Sequence, residues 1–329
     1  MYRDSIYSYL PFKTLLYRKA IPDIIPLYHT TGFNHYLPET GFLYRNRTEK
    51  EFEQDLDFLL KRFTPVDLES LHINVSQNKK TFKPYFHITI DDGLASNYEI
   101  MAPVLYKKGI PATFFINPAF IGDQEIMHRY KASLLLDFIS HYTDSILSIA
   151  EQLQVKPSFK DIEKKLLSIK YPQRNTFDLL IAQMGISWNE ILNSNPLYMD
   201  MTQLGKLNEN GFSLGAHSWD HPEFDLLSME EQKQQIESSL EWINQYFRQK
   251  TRCFAFPFTD HWVSKELFEW LHTMVDLSFG TAGLKTDIYH RHLQRIPIEK
   301  SKLAMSSIIK KEALAFWIKK ILGKSCVYH

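Results

Sequence analysis

The sequence predicts an α/β protein built on a parallel sheet, either open or closed into a barrel. Short apolar runs alternate along the chain with amphipathic stretches, the rhythm of strands joined by helical crossovers. Two of those runs lead straight into chemistry-bearing residues, at the strand ends where parallel α/β folds place their sites. The composition, 44% hydrophobic and 23% charged over 329 residues, is that of a globule and argues against a disordered chain.

In chain order, residues 24–28 form the first apolar run, and His29-Thr30-Thr31-Gly32 then turns. Phe52, Leu56, Leu59 and Phe63 repeat at four, three and four, which predicts a helix over residues 49–63. Residues 86–90 alternate toward a strand that Asp91-Asp92-Gly93 ends. Ser96 and Glu99 read as a capping box for the next helix. That helix closes on Lys107-Lys108-Gly109, basic residues followed by glycine. Residues 112–116 and 212–216 read as strands, the second leading directly into His217. Ser228 and Glu231 repeat the capping-box signal ahead of the stripe Ile236, Leu240, Ile243 and Phe247. Residues 253–256, 277–279 and 293–298 read as further strands. Residues 123–198 hold no strand of comparable quality and read as a helical insertion within a single domain spanning residues 1–329.

Lys+Arg and Asp+Glu both total 38, so the net charge is zero and no basic excess marks a nucleic-acid partner. Two cysteines, Cys253 and Cys326, exclude a disulfide scaffold and a Cys-based zinc ribbon. Residues 1–9 lack a basic stretch followed by an apolar one, and no run of 18 apolar residues occurs. A cytoplasmic protein without a transmembrane segment is expected. Residues 301–329 carry six lysines and one glutamate among many apolar residues, which predicts a basic C-terminal helix. It would either pack on the barrel or lie peripherally on an anionic membrane surface.

Two short patterns carry the chemistry. In Thr89-Ile90-Asp91-Asp92-Gly93, adjacent carboxylates repel one another unless a cation lies beside them. A plain polar turn is the alternative, since Asp-Gly is a common turn dipeptide. In His217-Ser218-Trp219-Asp220-His221-Pro222, two histidines four apart can converge on one metal if the segment makes a helical turn. Ordinary surface or core histidines are the alternative. Together the patterns supply two imidazoles and a carboxylate, the set of an open catalytic zinc site, with a second carboxylate free to act as a base. The same set serves non-haem iron, but the strand–helix rhythm argues against the all-β barrel of the usual iron oxygenases.

These residues resemble the polysaccharide deacetylases with NodB homology, carbohydrate esterase family 4. The first motif of that family, Thr-Phe-Asp-Asp-Gly, reads Thr89-Ile90-Asp91-Asp92-Gly93 here, and its His-Ser/Thr-x-x-His motif reads His217 to His221. The flanks from Leu105 to Phe115, Asn210 to Ala216 and Pro222 to Ser228 are similar to the family as well. Leu27-Tyr28-His29 resembles its opening strand, and Phe254-Ala255-Phe256-Pro257-Phe258 its third motif. The resemblance implies a distorted (β/α) barrel of about seven strands and metal-dependent removal of acetyl groups from an N-acetylated carbohydrate. It implies that Asp92, His217 and His221 hold a divalent metal, zinc first, and that Asp91 is the general base. A backbone N–H near Phe258 would stabilise the oxyanion. Pro257, Phe258 and Trp262 are the expected substrate-binding residues; Trp219 is a further candidate for stacking on a sugar.

The sequence also departs from the family. Arg252 lies five residues before Pro257 rather than beside it, and Thr259 stands where a glycine is usual. The late Leu-x-His motif has no counterpart, because residues 293–299 contain no histidine. Candidates for the proton donor are His29, His261 and His292, in that order. Asp220 could orient a ligand histidine. Two other readings stay open: the same site acting on O-acetyl esters or non-sugar amides, and a non-catalytic glycan-binding barrel.

Overall fold

The structure, a computed structural model, describes residues 21–77, 84–142 and 145–329, so the reading of residues 1–9 lies outside it. The central sheet comprises β1 (Pro26–Tyr28), β2 (Ile88–Ile90), β3 (Ala112–Ile116), β4 (Ser213–Ala216), β5 (Cys253–Ala255), β6 (Leu277–Gly280), β7 (His292–Gln294) and β8 (Ile296–Pro297). Every neighbouring pair is parallel, in the order β7-β6-β5-β4-β3-β2-β1-β8. The two ends of that order, β7 and β8, are consecutive in the chain, with Arg295 alone between them. The Arg295 N–H donates to Gly280 O at 3.1 Å on one side, and the Ile296 N–H to Ile25 O at 2.8 Å on the other. One extended stretch therefore pairs with both β6 and β1 and draws the sheet into a nearly closed barrel. Eight strands occupy seven positions around it, in line with the expected number. The strand expected over residues 293–298 is split because its two halves face different neighbours.

β1, β2 and β3 are buried along their whole length, as parallel strands covered by helices must be. Ile88, Ile90, Phe114 and Leu214 from the strands pack with Phe52, Leu56, Ile236, Leu240 and Leu267 from the surrounding helices. Helix α1 (Glu49–Arg62) starts at a complete capping box, Thr48 with Glu51, a cap contributing about 1 kcal/mol. Between β3 and β4 lies a run of helices beginning with α2 (His128–His141). Several of them share an apolar cluster of their own, including Leu135, Ile139, Ile162, Phe177 and Leu180. Helix α3 (Met229–Phe247) begins at the expected Ser228–Glu231 capping box.

Two local expectations fail. Ser96 does not cap a helix: it already has helical backbone angles, and a π-helical turn, Asn97–Met101, follows it. Its hydroxyl instead pairs with Thr30 Oγ1 at 2.5 Å, tying the turn after β1 to the turn after β2. The C-terminal segment is not helical to its end. Helix α4 (Met305–Ile321) stops before Gly323, whose φ of +70° suits glycine, and Cys326–Val327 then pairs in parallel with Thr286–Asp287. Ile308, Ile309, Ala313 and Phe316 are buried in the barrel core, while Ile321 and Leu322 are exposed. Among the described residues, no helix is long and apolar enough to cross a membrane.

Candidate metal centre

The strand register decides which side chains meet. β1 pairs with β2 so that Tyr28 lies opposite Ile90, and the next residues, His29 and Asp91, emerge side by side. β3 pairs with β4 through Ile116 and Ala216, which places His217 at the same end of the sheet. His217 and His221 are joined not by the helical turn that their spacing allowed but by a loop. Asp92, Ser218, His221 and Phe258 all adopt the left-handed region, with φ between 54° and 73°. Each such non-glycine residue costs on the order of 1 kcal/mol or more and persists only when its surroundings enforce it. Here Ser218 Oγ accepts the His221 N–H at 3.1 Å, and Asn117 Nδ2 donates to the carbonyls of His217 and Ser218.

His217 Nε2 and His221 Nε2 converge on one atom, Asp92 Oδ1, at 3.5 and 3.4 Å. Those separations are long for hydrogen bonds, and Asp92 Oδ1 is buried with no hydrogen-bond partner among the described residues. They match the spacing of about 3.4 Å expected between tetrahedral zinc ligands with bonds of ~2.0–2.1 Å. His217 Nδ1 lies 2.8 Å from Ala255 O, which only accepts, so Nδ1 carries the proton and Nε2 keeps its lone pair. The donor set and the unpartnered oxygen fit a divalent cation. The second oxygen of Asp92 accepts a hydrogen bond from the Tyr130 hydroxyl on α2.

Asp91 is held differently. Its Oδ1 accepts from Arg295 Nη1 at 2.6 Å, while Oδ2 faces His217 Nε2 at 3.5 Å. Arg295 is fully buried; its Nε donates to Gly280 O at 3.2 Å. His29, a quarter exposed, places Nδ1 2.6 Å from Glu299 Oε2 and stacks on Tyr44 with ring centroids 4.8 Å apart. Glu299 also accepts the backbone N–H groups of His29 and Thr30, each at 3.0 Å.

The electrostatics follow from these contacts. Burial disfavours the charged form of Asp92, yet the imidazoles of His221, His217 and His29 hold its carboxyl far below the usual range. Burial, aided by His217 and His128, outweighs the pull of Asp92 and brings His221 down to about 3, so its imidazole is neutral at physiological pH. Burial opposes protonation of His29 too, but Glu299 by charge and hydrogen bond, helped by Asp92 and Asp91, raises it to about 9.

Asp91, Asp92, His217, His221 and His29 thus share the strand-end face. Pro257, Phe258 and Trp262 line a neighbouring cleft together with Arg129, Lys170 and Glu223, and the Phe258 ring touches His221 at 4.5 Å. Trp219 lines a separate groove beside α3. The expectation for Asp220 fails: it is engaged by Gln235 and Tyr171, not by a ligand histidine. His261 is exposed, and buried His292 is bonded to Asp260 and Ser278. Arg252 is exposed, and its backbone binds Asp276. Sequence reasoning missed Arg295, Glu299, Tyr130 and Asn117. The one available signal was a pair of charges, Arg295 inside the strand expected over residues 293–298 and Glu299 directly after it.

A parallel barrel that gathers two imidazoles and two carboxylates at its strand ends has a donor set that could hold a divalent cation. The sequence profile described as polysaccharide deacetylase matches residues 78–266, more than half of the chain, and the chain belongs to that family. No curated protein matches it in sequence. Among solved structures, it is similar to the Streptococcus pyogenes deacetylase PplD in complex with acetate, at 14% identity and a TM-score of 0.57, covering 89% of this chain and 99% of that one. IcaB from Ammonifex degensii is similar at 16% identity and a TM-score of 0.56, covering 89% and 97%. At such identities the likeness is one of fold.

Proposed function

We propose that the protein is a metal-dependent hydrolase that removes acetyl groups from an N-acetylated carbohydrate. The convergence of two imidazoles on the unpartnered oxygen of Asp92, with a second carboxylate held apart by arginine, carries this reading. Asp92, His217 and His221 would hold the cation, zinc first. When bound, it supplies acidification of a water and polarisation of the acetyl carbonyl.

The chain's own groups do the rest. Arg295 fixes one oxygen of Asp91 and leaves the other to take the proton of the attacking water. Among the described residues the Phe258 backbone N–H has no acceptor, so it is free to donate to the oxyanion. His29, protonated and oriented by Glu299 through Nδ1, presents Nε2 to the departing nitrogen. An amine leaves only when protonated, whereas an ester alkoxide needs this help less, so a strongly basic His29 favours amide over ester substrates. Pro257, Phe258 and Trp262 provide the wall against which a sugar ring packs. Residues 123–198, read as an insertion within the one barrel domain, contribute Tyr130 to the centre and Arg129 and Lys170 to the cleft.

Acetate release from N-acetylated oligosaccharides, compared with O-acetyl and non-sugar amide substrates, tests the reading. Release that stops on chelation and returns with Zn2+ is expected. Full activity in metal-free protein would sink it.

A further inference from the structure

A second constellation lies away from the strand-end centre. Asp260 follows the third-motif loop, Asp287 lies in the short strand Thr286–Asp287, His292 opens β7, and His329 follows Cys326–Val327. Each offers one ligand atom, and the four atoms lie within 4.8 Å of one another. His292 Nε2 is 3.0 Å from Asp260 Oδ2, His329 Nε2 is 3.0 Å from Asp287 Oδ2, and His329 Nε2 is 4.0 Å from Asp260 Oδ2. These distances bracket the ~3.4 Å separation of tetrahedral zinc ligands.

From this geometry we infer that Asp260, Asp287, His292 and His329 form a second, structural site for a divalent transition cation, with zinc the best fit. All four side chains are essentially solvent-free, at 0–3% exposure. Two carboxylates are thus buried together, and among the described residues neither makes an ion pair with lysine or arginine. Each carboxylate has only an imidazole, at 3.0 Å, as a basic partner, and a divalent cation would neutralise the buried pair. His329 Nε2 is held 3.0 Å from Asp287 Oδ2, while its Nδ1 is buried with no hydrogen-bond partner among the described residues. The surroundings are already those of ligands. Gln294 Nε2 donates to Asp260 Oδ2 at 2.7 Å and Asp287 Oδ2 at 3.0 Å, while its Oε1 is held by the Ala282 N–H. Ser278 Oγ pairs with His292 Nδ1 at 2.7 Å, which leaves Nε2 for the metal. Phe268 packs against both imidazoles, at 4.8 and 4.2 Å. Mixed imidazole and carboxylate donors on buried side chains suit zinc better than calcium or magnesium. Bound there, the ion would fasten the segment after α4 to the loop that carries Phe258, because Thr281 bonds both Asp260 Oδ1 and Phe258 O.

The test is the metal content of the full chain after reconstitution with Zn2+ and removal of excess. Wild type is expected to hold two equivalents, H217A one, and H329A or D287N one. In H217A, which retains only the second site, chelation should lower the melting temperature; in H217A/H329A it should not. Co2+ reconstitution of H217A should give a ligand-field spectrum that H217A/H329A lacks. A single equivalent in wild type that H217A abolishes would overturn the inference, as would two equivalents retained in both H329A and D287N. Neither outcome depends on the deacetylase reading.

Discussion

Asp91 and Asp92 are adjacent in sequence, yet their surroundings give them separate work. Asp92 faces two imidazoles and a tyrosine hydroxyl; Asp91 faces a guanidinium. Replacing Asp91 with asparagine should lower kcat by roughly 10²–10⁴-fold while leaving the metal content unchanged; elemental analysis beside the rate assay checks both. His29 gives the pH prediction. Its pKa is raised to about 9 by Glu299, against the opposing effect of burial. The protonated form of the proposed donor and the stability of the His29–Glu299 pair are both fully present below the ordinary imidazole value of about 6.5. Both are lost as pH rises through about 9. kcat should therefore fall on an alkaline limb near pH 9, and Glu299→Gln should move that limb toward lower pH. A limb that stays in place would remove His29 from the donor role. The Asp pair and the His pair were legible in the sequence because each sits in a short local pattern. Arg295 and Glu299 were not, because their partners lie 204 and 270 residues away and only the barrel's register brings them together.

At the scale of elements, helix α2 reaches the centre through one hydroxyl, that of Tyr130 on Asp92. Groups that hold a ligand carboxylate in place typically contribute 10–100-fold in metal affinity. Tyr130→Phe should weaken zinc binding by about that factor, read by competition with a chelator, with little change in fold. In β4, Gly215 is required by close approach: a Cβ there would lie 2.5 Å from the Phe115 ring and 2.6 Å from Cys253 Sγ. Gly215→Ala should destabilise by about 1–3 kcal/mol in denaturant unfolding, as overpacked cores do. The strands were readable because parallel strands buried on both faces leave continuous apolar runs. The failed Ser96 cap and the strand after α4 have the opposite cause. Thr30 claims the Ser96 hydroxyl, and Thr286–Asp287 claims residues 326–327, both contacts that no local pattern encodes.

At the scale of the molecule, closure of the barrel and setting of the proposed base depend on one residue. Arg295 separates the two halves of the final strand, donates to Gly280 through its backbone and side chain, and reaches Asp91. Arg295→Met would leave a buried carboxylate uncompensated, a change that typically costs about 3–5 kcal/mol. A lowered melting temperature and a fall in kcat are both expected. If only the rate changed, the seam would draw its strength from the neighbouring backbone bonds alone.

On the proposed reading, that seam would also set the order in which the site is completed during synthesis. A nascent chain that has emerged as far as β6 already holds both histidines and both aspartates of the centre. It lacks Arg295 and Glu299, which follow β6 in the chain. Such an unfinished chain would carry the proposed ligands but neither the group that positions the proposed base nor the partner that charges the proposed acid. On the proposed reading, hydrolysis would wait until the ring has been completed, and a chain cut short before Arg295 would carry the proposed ligands without the reactivity.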